Sequence, residues 1–285
     1  MGTVVMRVLV TGGAGFVGNA LVEKLVSKNY NIDVIDTFEI GKKTNSRANY
    51  IKKDVCDIHQ VTGDYDICFH LAALSRIQPS FTQSLKTFKH NAYGTAAVLD
   101  WAQVHDTPVI YAGSSSKFAG YEKSPYAASK YIGEVLCEMY RNSYNLKTHI
   151  VRFYNVYGPG ELTDDTWAAI IGRWRSLIND NKPIEIVGDG NQSRSFTHID
   201  DIVDGLIKIS ENIDNENWQW DLGCDVEYSV NDVFEMFKKR YGDLKSIHLE
   251  DQSGNYRTST RNNDNAINLL GCSFYDRLEE YIMDL

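Results

Sequence analysis

Residues 4–18 read VVMRVLVTGGAGFVG, and the fold turns on this stretch. Residues 4–10 form a short apolar run bounded by glycines, the pattern of a strand buried on both faces. Gly12, Gly15 and Gly18 follow, and Phe16, Val17, Ala20, Leu21 and Leu25 then fall on one side of a helix. Residues 32–36 give a second strand that ends in the carboxylate of Asp36. The glycines permit a tight turn and close approach of a pyrophosphate, which would sit on the unpaired amides of the helix N-terminus. Asp36 lies 18 residues after Gly18, the spacing of a carboxylate that accepts from a ribose 2′-hydroxyl. The same carboxylate repels a 2′-phosphate, so these residues predict binding of NAD rather than NADP.

The alternation continues outward. Strands are predicted at 66–71, 108–112 and Thr148–Phe153, with helices at 81–101, 126–140 and 165–178. That order predicts an α/β fold, a doubly wound parallel sheet covered by helices on both faces. Beyond Tyr157 the pattern loosens, and glycine-rich turns at 158–160 and 188–190 mark a smaller α/β lobe. Short helices at 229–241 and Asp264–Leu270 are expected in that lobe. The division is then 1–157, rejoined by 192–224, for the cofactor-binding domain, and 158–191 with 225–285 for the substrate lobe. A crevice is expected between them, at the carboxyl ends of the strands.

Residues 113–130, GSSSKFAGYEKSPYAASK, carry a serine run and then Tyr126 and Lys130. Ser124 and Pro125 suit the cap and first position of a helix, on which residues four apart share a face. A free tyrosine, with a pKa of about 10, is a poor base at neutral pH. A lysine beside it favours the phenolate, which can then move a proton on a hydroxyl.

Composition sets limits. Hydrophobic residues make up 43% and charged residues 24%, and 29 Lys+Arg against 38 Asp+Glu leave a net charge of −9. No dense basic run occurs, so neither nucleic acid nor an anionic membrane is expected as a partner. Cys56, Cys68, Cys137, Cys224 and Cys272 are odd in number, and no CxxC pair suggests a metal. A reducing, cytoplasmic setting is expected. Met1-Gly2-Thr3 opens like a myristoylation signal, but position six is Met6, which discounts it. The opening residues carry no signal segment, and no stretch approaches the length of a membrane span.

In the order glycine turn, Asp36, His70-Leu71-Ala72-Ala73, serine run, Tyr126-xxx-Lys130 and Arg152-Phe153-Tyr154-Asn155-Val156-Tyr157-Gly158-Pro159, the chain resembles the extended short-chain dehydrogenase/reductases. Within that family it is similar to the NAD-dependent nucleotide-sugar epimerases and dehydratases. The resemblance runs from about Arg7 to Leu270, and residues 188–201, GDGNQSRSFTHIDD, add a seventh motif. It implies a Rossmann-type sheet and a homodimer paired through helices 81–101 and 126–140, both richer in apolar residues than one buried stripe needs. Gly12, Gly15, Phe16, Val17 and Gly18 would then hold the NAD pyrophosphate and Asp36 the adenosine ribose. Asp54 and Val55 would flank the adenine, Leu71, Ala72 and Ala73 would run past the cofactor, and Asn91 would lie toward the nicotinamide. Tyr126 would be the catalytic acid or base, and Lys130 would lower its pKa and bind the nicotinamide ribose. Ser115 aligns with the catalytic hydroxyl residue, with Ser116 adjacent. Asn155, Arg194 and Arg257 would contact the substrate diphosphate, a task suited to bidentate arginine. His70 is expected as a satisfied core residue.

Three departures bear on the reaction. Relatives that dehydrate carry an acidic pair where this chain has Ser116 and Lys117, and without that acid the leaving hydroxyl lacks a proton donor. Ala119 stands where a tyrosine often lines the sugar pocket, and only residues 121–125 separate Gly120 from Tyr126. The resemblance therefore implies C4 epimerisation of a UDP-type sugar through a 4-keto intermediate. A 4,6-dehydratase, decarboxylase or 4-keto-sugar reductase of the same family stays open at this point, as does a non-catalytic NAD-binding sensor or scaffold.

Overall fold

The computed structural model describes residues 5–163, 166–258 and 261–285. Met1-Gly2-Thr3, the Val4 start of the first strand and the Asp165 start of a helix lie outside the described residues.

The strands are β1 (Arg7–Thr11), β2 (Asn31–Asp36), β3 (Asn49–Lys52), β4 (Ile67–His70), β5 (Val109–Ala112) and β6 (Thr148–Phe153). Shorter strands follow: β7 (Val156–Tyr157), β8 (Ile184–Val187), β9 (Ser193–Ser195) and β10 (Thr197–His198). Last come β11 (Gln219–Leu222), β12 (Glu227–Ser229) and β13 (Ser246–Leu249). Seven strands form one parallel sheet in the order β11-β6-β5-β4-β1-β2-β3. This is the Rossmann-type arrangement, and its strand order reverses between β1 and β4, where α/β sheets open a ligand crevice.

The helices are α1 (Phe16–Ser27), α2 (Ile77–Thr82), α3 (Ser84–Phe88), α4 (Gly94–Val104), α5 (Ser116–Gly120) and α6 (Pro125–Tyr144). They continue as α7 (Ile170–Asn179), α8 (Ile199–Glu211), α9 (Val230–Tyr241), α10 (Asp264–Leu270) and α11 (Leu278–Met283). Strand alternation sorts the core. Val8 and Val10 of β1 pack with Leu21, Leu25, Ile202 and Leu206 from α1 and α8. Leu9 points to the other face and packs with Val98, Leu99, Trp101 and Cys137 from α4 and α6.

The single helix expected at 81–101 is broken. Gln83 leaves helical geometry (φ −124°, ψ 39°) between α2 and α3, and a π turn spans Lys89–Tyr93 before α4. Helix α6 begins as expected, with Ser124 accepting from the Ala127 amide and Pro125 at the first position, and runs to Tyr144. Its C-cap is Asn145 in the left-handed conformation, so it ends four residues beyond the expected 140.

A second apolar core joins Tyr157, Trp174, Ile184, Phe196, Val233, Phe237 and Ile282. It draws on α7, α9, α11 and the small strands. The expected helix at 165–178 begins later, at Ile170. Helix α10 packs on β11 and α8 of the large sheet instead of this second core, through Ala266 and Leu270.

Candidate active site

A cavity of about 790 Å³ opens at the carboxyl ends of β1, β4, β5 and β6, and residues of the second core close its far side. The glycine turn forms one wall. Gly12 sits at φ +75°, and a Cβ there would come within 2.7 Å of the Ala72 backbone. On Gly18 a Cβ would stand 2.1 Å from the Gly12 carbonyl oxygen. No side chain caps the start of α1, where Gly15 occupies the N-cap. Its first amides are left for an anion, and Gly15, Phe16, Val17 and Gly18 line the cavity. These features fit a dinucleotide pyrophosphate. Asp36 lies on the same wall, accepting the Ala14 amide at 3.0 Å and the Phe38 amide at 2.9 Å. Asp54, Val55, Leu71, Ala72 and Ala73 also line it.

Asn91 does not reach the cavity. It is fully buried, accepts from the Leu74 amide at 2.8 Å, and donates to the Leu74 carbonyl and the Ser129 hydroxyl, both at 3.0 Å. It therefore shapes the wall from behind. His70 is a satisfied core residue, bonded to Thr11 at 2.7 Å and Thr95 at 3.0 Å, and burial pushes its pKa down to about 3. Asp54, Cys56 and His90 bring three ligand-type atoms within 4.8 Å of one another. Asp54 already accepts the Cys56 amide and pairs with His90, while burial and Asp54 push the Cys56 thiol up to about 12.

The chemistry-bearing face is α6 against the turn after β5. Tyr126, Lys130, Ser114, Ser115 and Ser116 all line the cavity. Burial raises the Tyr126 pKa, and the Ser114 hydroxyl and the Arg76 charge partly offset it. Ser114, one residue before the aligned Ser115, is thus the serine that acts on the phenol. Its hydroxyl also meets that of Ser116 at 2.8 Å. The Lys130 ammonium lies 4.2 Å from the Tyr111 ring centre, and burial lowers its pKa to about 8, opposed by Glu134. In this geometry the aromatic face of Tyr111 takes the cation.

Asn155 lines the opposite wall and donates to the Ser195 carbonyl at 2.9 Å. The Arg194 guanidinium lies over the Tyr256 ring at 4.0 Å and donates to the Ser193 carbonyl and the Asn255 side chain, at 2.7 and 2.8 Å. Among the described residues no carboxylate pairs with it, and burial lowers its pKa. A partly buried cation in that state calls for an anion from outside. Arg257 behaves differently. Its side chain is 63% exposed, it pairs with Asp189 at 2.6 Å, and it does not line the cavity.

Sequence reasoning missed Ser114, Arg76 and Glu134. Ser115 is the one that aligns with the catalytic hydroxyl residue, and nothing local distinguishes the three serines. Glu134 did leave a signal, since it continues the four-residue spacing of Tyr126 and Lys130.

Comparison with known proteins gives a consistent picture. The chain is similar to a UDP-glucose 4-epimerase from Thermotoga maritima solved with UDP-glucose: 26% identity, TM-score 0.91, covering 98% of this chain and 96% of that one. It is similar to a UDP-glucuronic acid 4-epimerase from Bacillus cereus in complex with UDP-glucuronic acid and NAD, at 26% identity and TM-score 0.88 over 97% and 96%. A UDP-N-acetyl-alpha-D-glucosaminuronate decarboxylase from Bacillus cytotoxicus is 28% identical over 271 residues, 85% of this chain and 83% of that protein. Residues 8–223 match the model described as the NAD dependent epimerase/dehydratase family. That match runs from β1 to the end of β11, so the chain belongs to the NAD-dependent epimerase/dehydratase family and its cofactor is NAD.

Proposed function

We propose that the chain is a nucleotide-sugar 4-epimerase acting on a UDP-linked sugar. The observation that carries this reading lies at the two positions where dehydrating relatives hold acids. Ser116 bonds to Ser114, and the Lys117 ammonium turns to Glu134 at 3.1 Å. Neither offers a carboxylic acid to a leaving hydroxyl, so removal and return of hydrogen at C4 is the chemistry best served.

Bound NAD supplies the hydride acceptor and donor. Tyr126 takes the proton of the sugar C4 hydroxyl, with Ser114 or Ser115 hydrogen-bonding that oxygen. The 4-keto sugar would turn in the cavity to present its other face, and Tyr126 would return the proton to the C4 oxygen. Arg194 and Asn155 hold the diphosphate. Arg257 stays with Asp189 outside the cavity.

We further propose that residues of the second core form the substrate lobe. A homodimer would pair α4 and α6, on which Val104, Ile132, Val135, Met139 and Tyr144 are exposed, and the enzyme would work in the cytoplasm. Light scattering of the purified chain tests the dimer.

The test of activity is to measure NAD bound to the purified protein, then follow UDP-glucose, UDP-N-acetylglucosamine and UDP-glucuronate by NMR. Appearance of a 4-epimer supports the reading. A keto or decarboxylated product, or no interconversion with NAD bound, overturns it.

A further inference from the structure

We propose that Glu134 is a positioning residue that, with Lys117, ties the turn carrying Ser114 to the helix carrying Tyr126 and Lys130. This rests on the reading that Tyr126 moves the substrate proton. Glu134 is buried, and each of its oxygens is used. Oε1 accepts Arg152 Nε at 2.9 Å and the Ser114 amide at 3.4 Å, and Oε2 accepts Arg152 Nη2 at 2.8 Å and Lys117 Nζ at 3.1 Å. A Cβ on Gly113 would come within 2.7 Å of Oε1, so the carboxylate packs straight against the turn's backbone.

The cluster is balanced. Arg152 also reaches Asp221 at 3.4 Å, which leaves two carboxylates and two cations in one network that is buried except at Lys117. Removing one member of such a network leaves an uncompensated charge. Lys117 is the member nearest the turn in the chain, on α5 directly after it, and its ammonium also lies 5.4 Å from the Tyr131 ring centre on α6. Arg152 grips the carboxylate from β6 alone. Lys117 is therefore what ties the serine turn to α6 from the solvent side, and without it the Ser114 hydroxyl loses its fixed place before the phenol.

Glu134 also faces Lys130 one helical turn away, and so favours the ammonium. The other groups around that amine are Cys137 on the same helix, His70 from β4 and Tyr111 from β5.

The test uses the NAD-loaded protein with Lys117→Met, Lys117→Arg and Glu134→Gln. Lys117 is partly exposed, so its variants should fold. In Lys117→Met the amides of residues 114–118 should exchange about tenfold faster. The kcat should fall about tenfold with KM and NADH affinity within about twofold, since positioning acts on the chemical step. Lys117→Arg should restore both. Glu134→Gln should move the alkaline limb of kcat to lower pH. Wild-type exchange and kcat in Lys117→Met, or loss of NADH affinity in step with kcat, would overturn the proposal. If the wild-type protein turns over no UDP-sugar, the epimerase reading fails, while the exchange rates still decide the tether.

Discussion

Two turns line the cavity, the glycine turn after β1 and the serine turn after β5, and they are held by opposite means. The glycine turn is fixed by what its residues lack. Without side chains at Gly12 and Gly18 the backbone closes to distances that a Cβ would forbid, and the uncapped helix behind it is left with free amides. The serine turn is fixed by what other elements supply: a carboxylate from α6, an arginine from β6 and the lysine that follows it on α5. The first is written locally and tolerates no addition. The second is assembled from afar and should yield to single charge changes.

The comparison can be broken at several points. The largest effect is expected for Gly18→Val, whose Cβ would overlap the Gly12 carbonyl. NAD binding should be lost entirely and stability reduced by about 1–3 kcal/mol, seen by NADH fluorescence and thermal unfolding. Tyr126→Phe should keep NAD but lower kcat by about 10²–10⁴-fold, the range for loss of a positioned acid–base group. Wild-type turnover in that variant would sink the mechanism and favour a sensor. Arg194→Met should raise KM for the nucleotide sugar by about ten- to a hundredfold, as charged hydrogen bonds are lost. Arg257→Met, exposed and already paired, should change KM less than about twofold.

A pH profile sharpens the serine side of the comparison. Burial lowers the Lys130 pKa to about 8. The ammonium that would hold the nicotinamide ribose is present below that pH and is lost as pH rises through it, so kcat should fall on the alkaline side of about 8. Lys130→Met should flatten that limb.

Legibility followed the same divide. The strands, the glycine turn, Asp36 and the start of α6 were readable because period, glycine placement and capping are local properties of the chain. The break at Gln83 and the π turn were not, since apolar residues continue through both, and no helix was expected where α8 lies. At the site, Tyr126 and Lys130 were legible from spacing, but their relation was not. The place of the Lys130 ammonium depends on Tyr111, a residue from another strand. Ser114 was hidden among identical neighbours, and Arg257 looked like Arg194 until burial separated them. Asn91 was named for the cofactor, yet its amide is consumed by Leu74 and Ser129.

The π turn at Lys89–Tyr93 sets the phase of everything after it. A π turn amounts to one extra residue in a helix, and one residue is worth about 100° of rotation. In this register Asn91 turns toward Leu74, Thr95 donates to the Asn91 carbonyl at 2.6 Å and meets His70, and Trp101 reaches the Val61 carbonyl at 3.0 Å. Deleting a single residue between 89 and 93 would restore ordinary helix and swing one half of this set away from the other. The wall along Leu71–Leu74 is thus clocked by the π turn that carries Asn91, and its shape can be retuned there without altering residues 71–74 themselves.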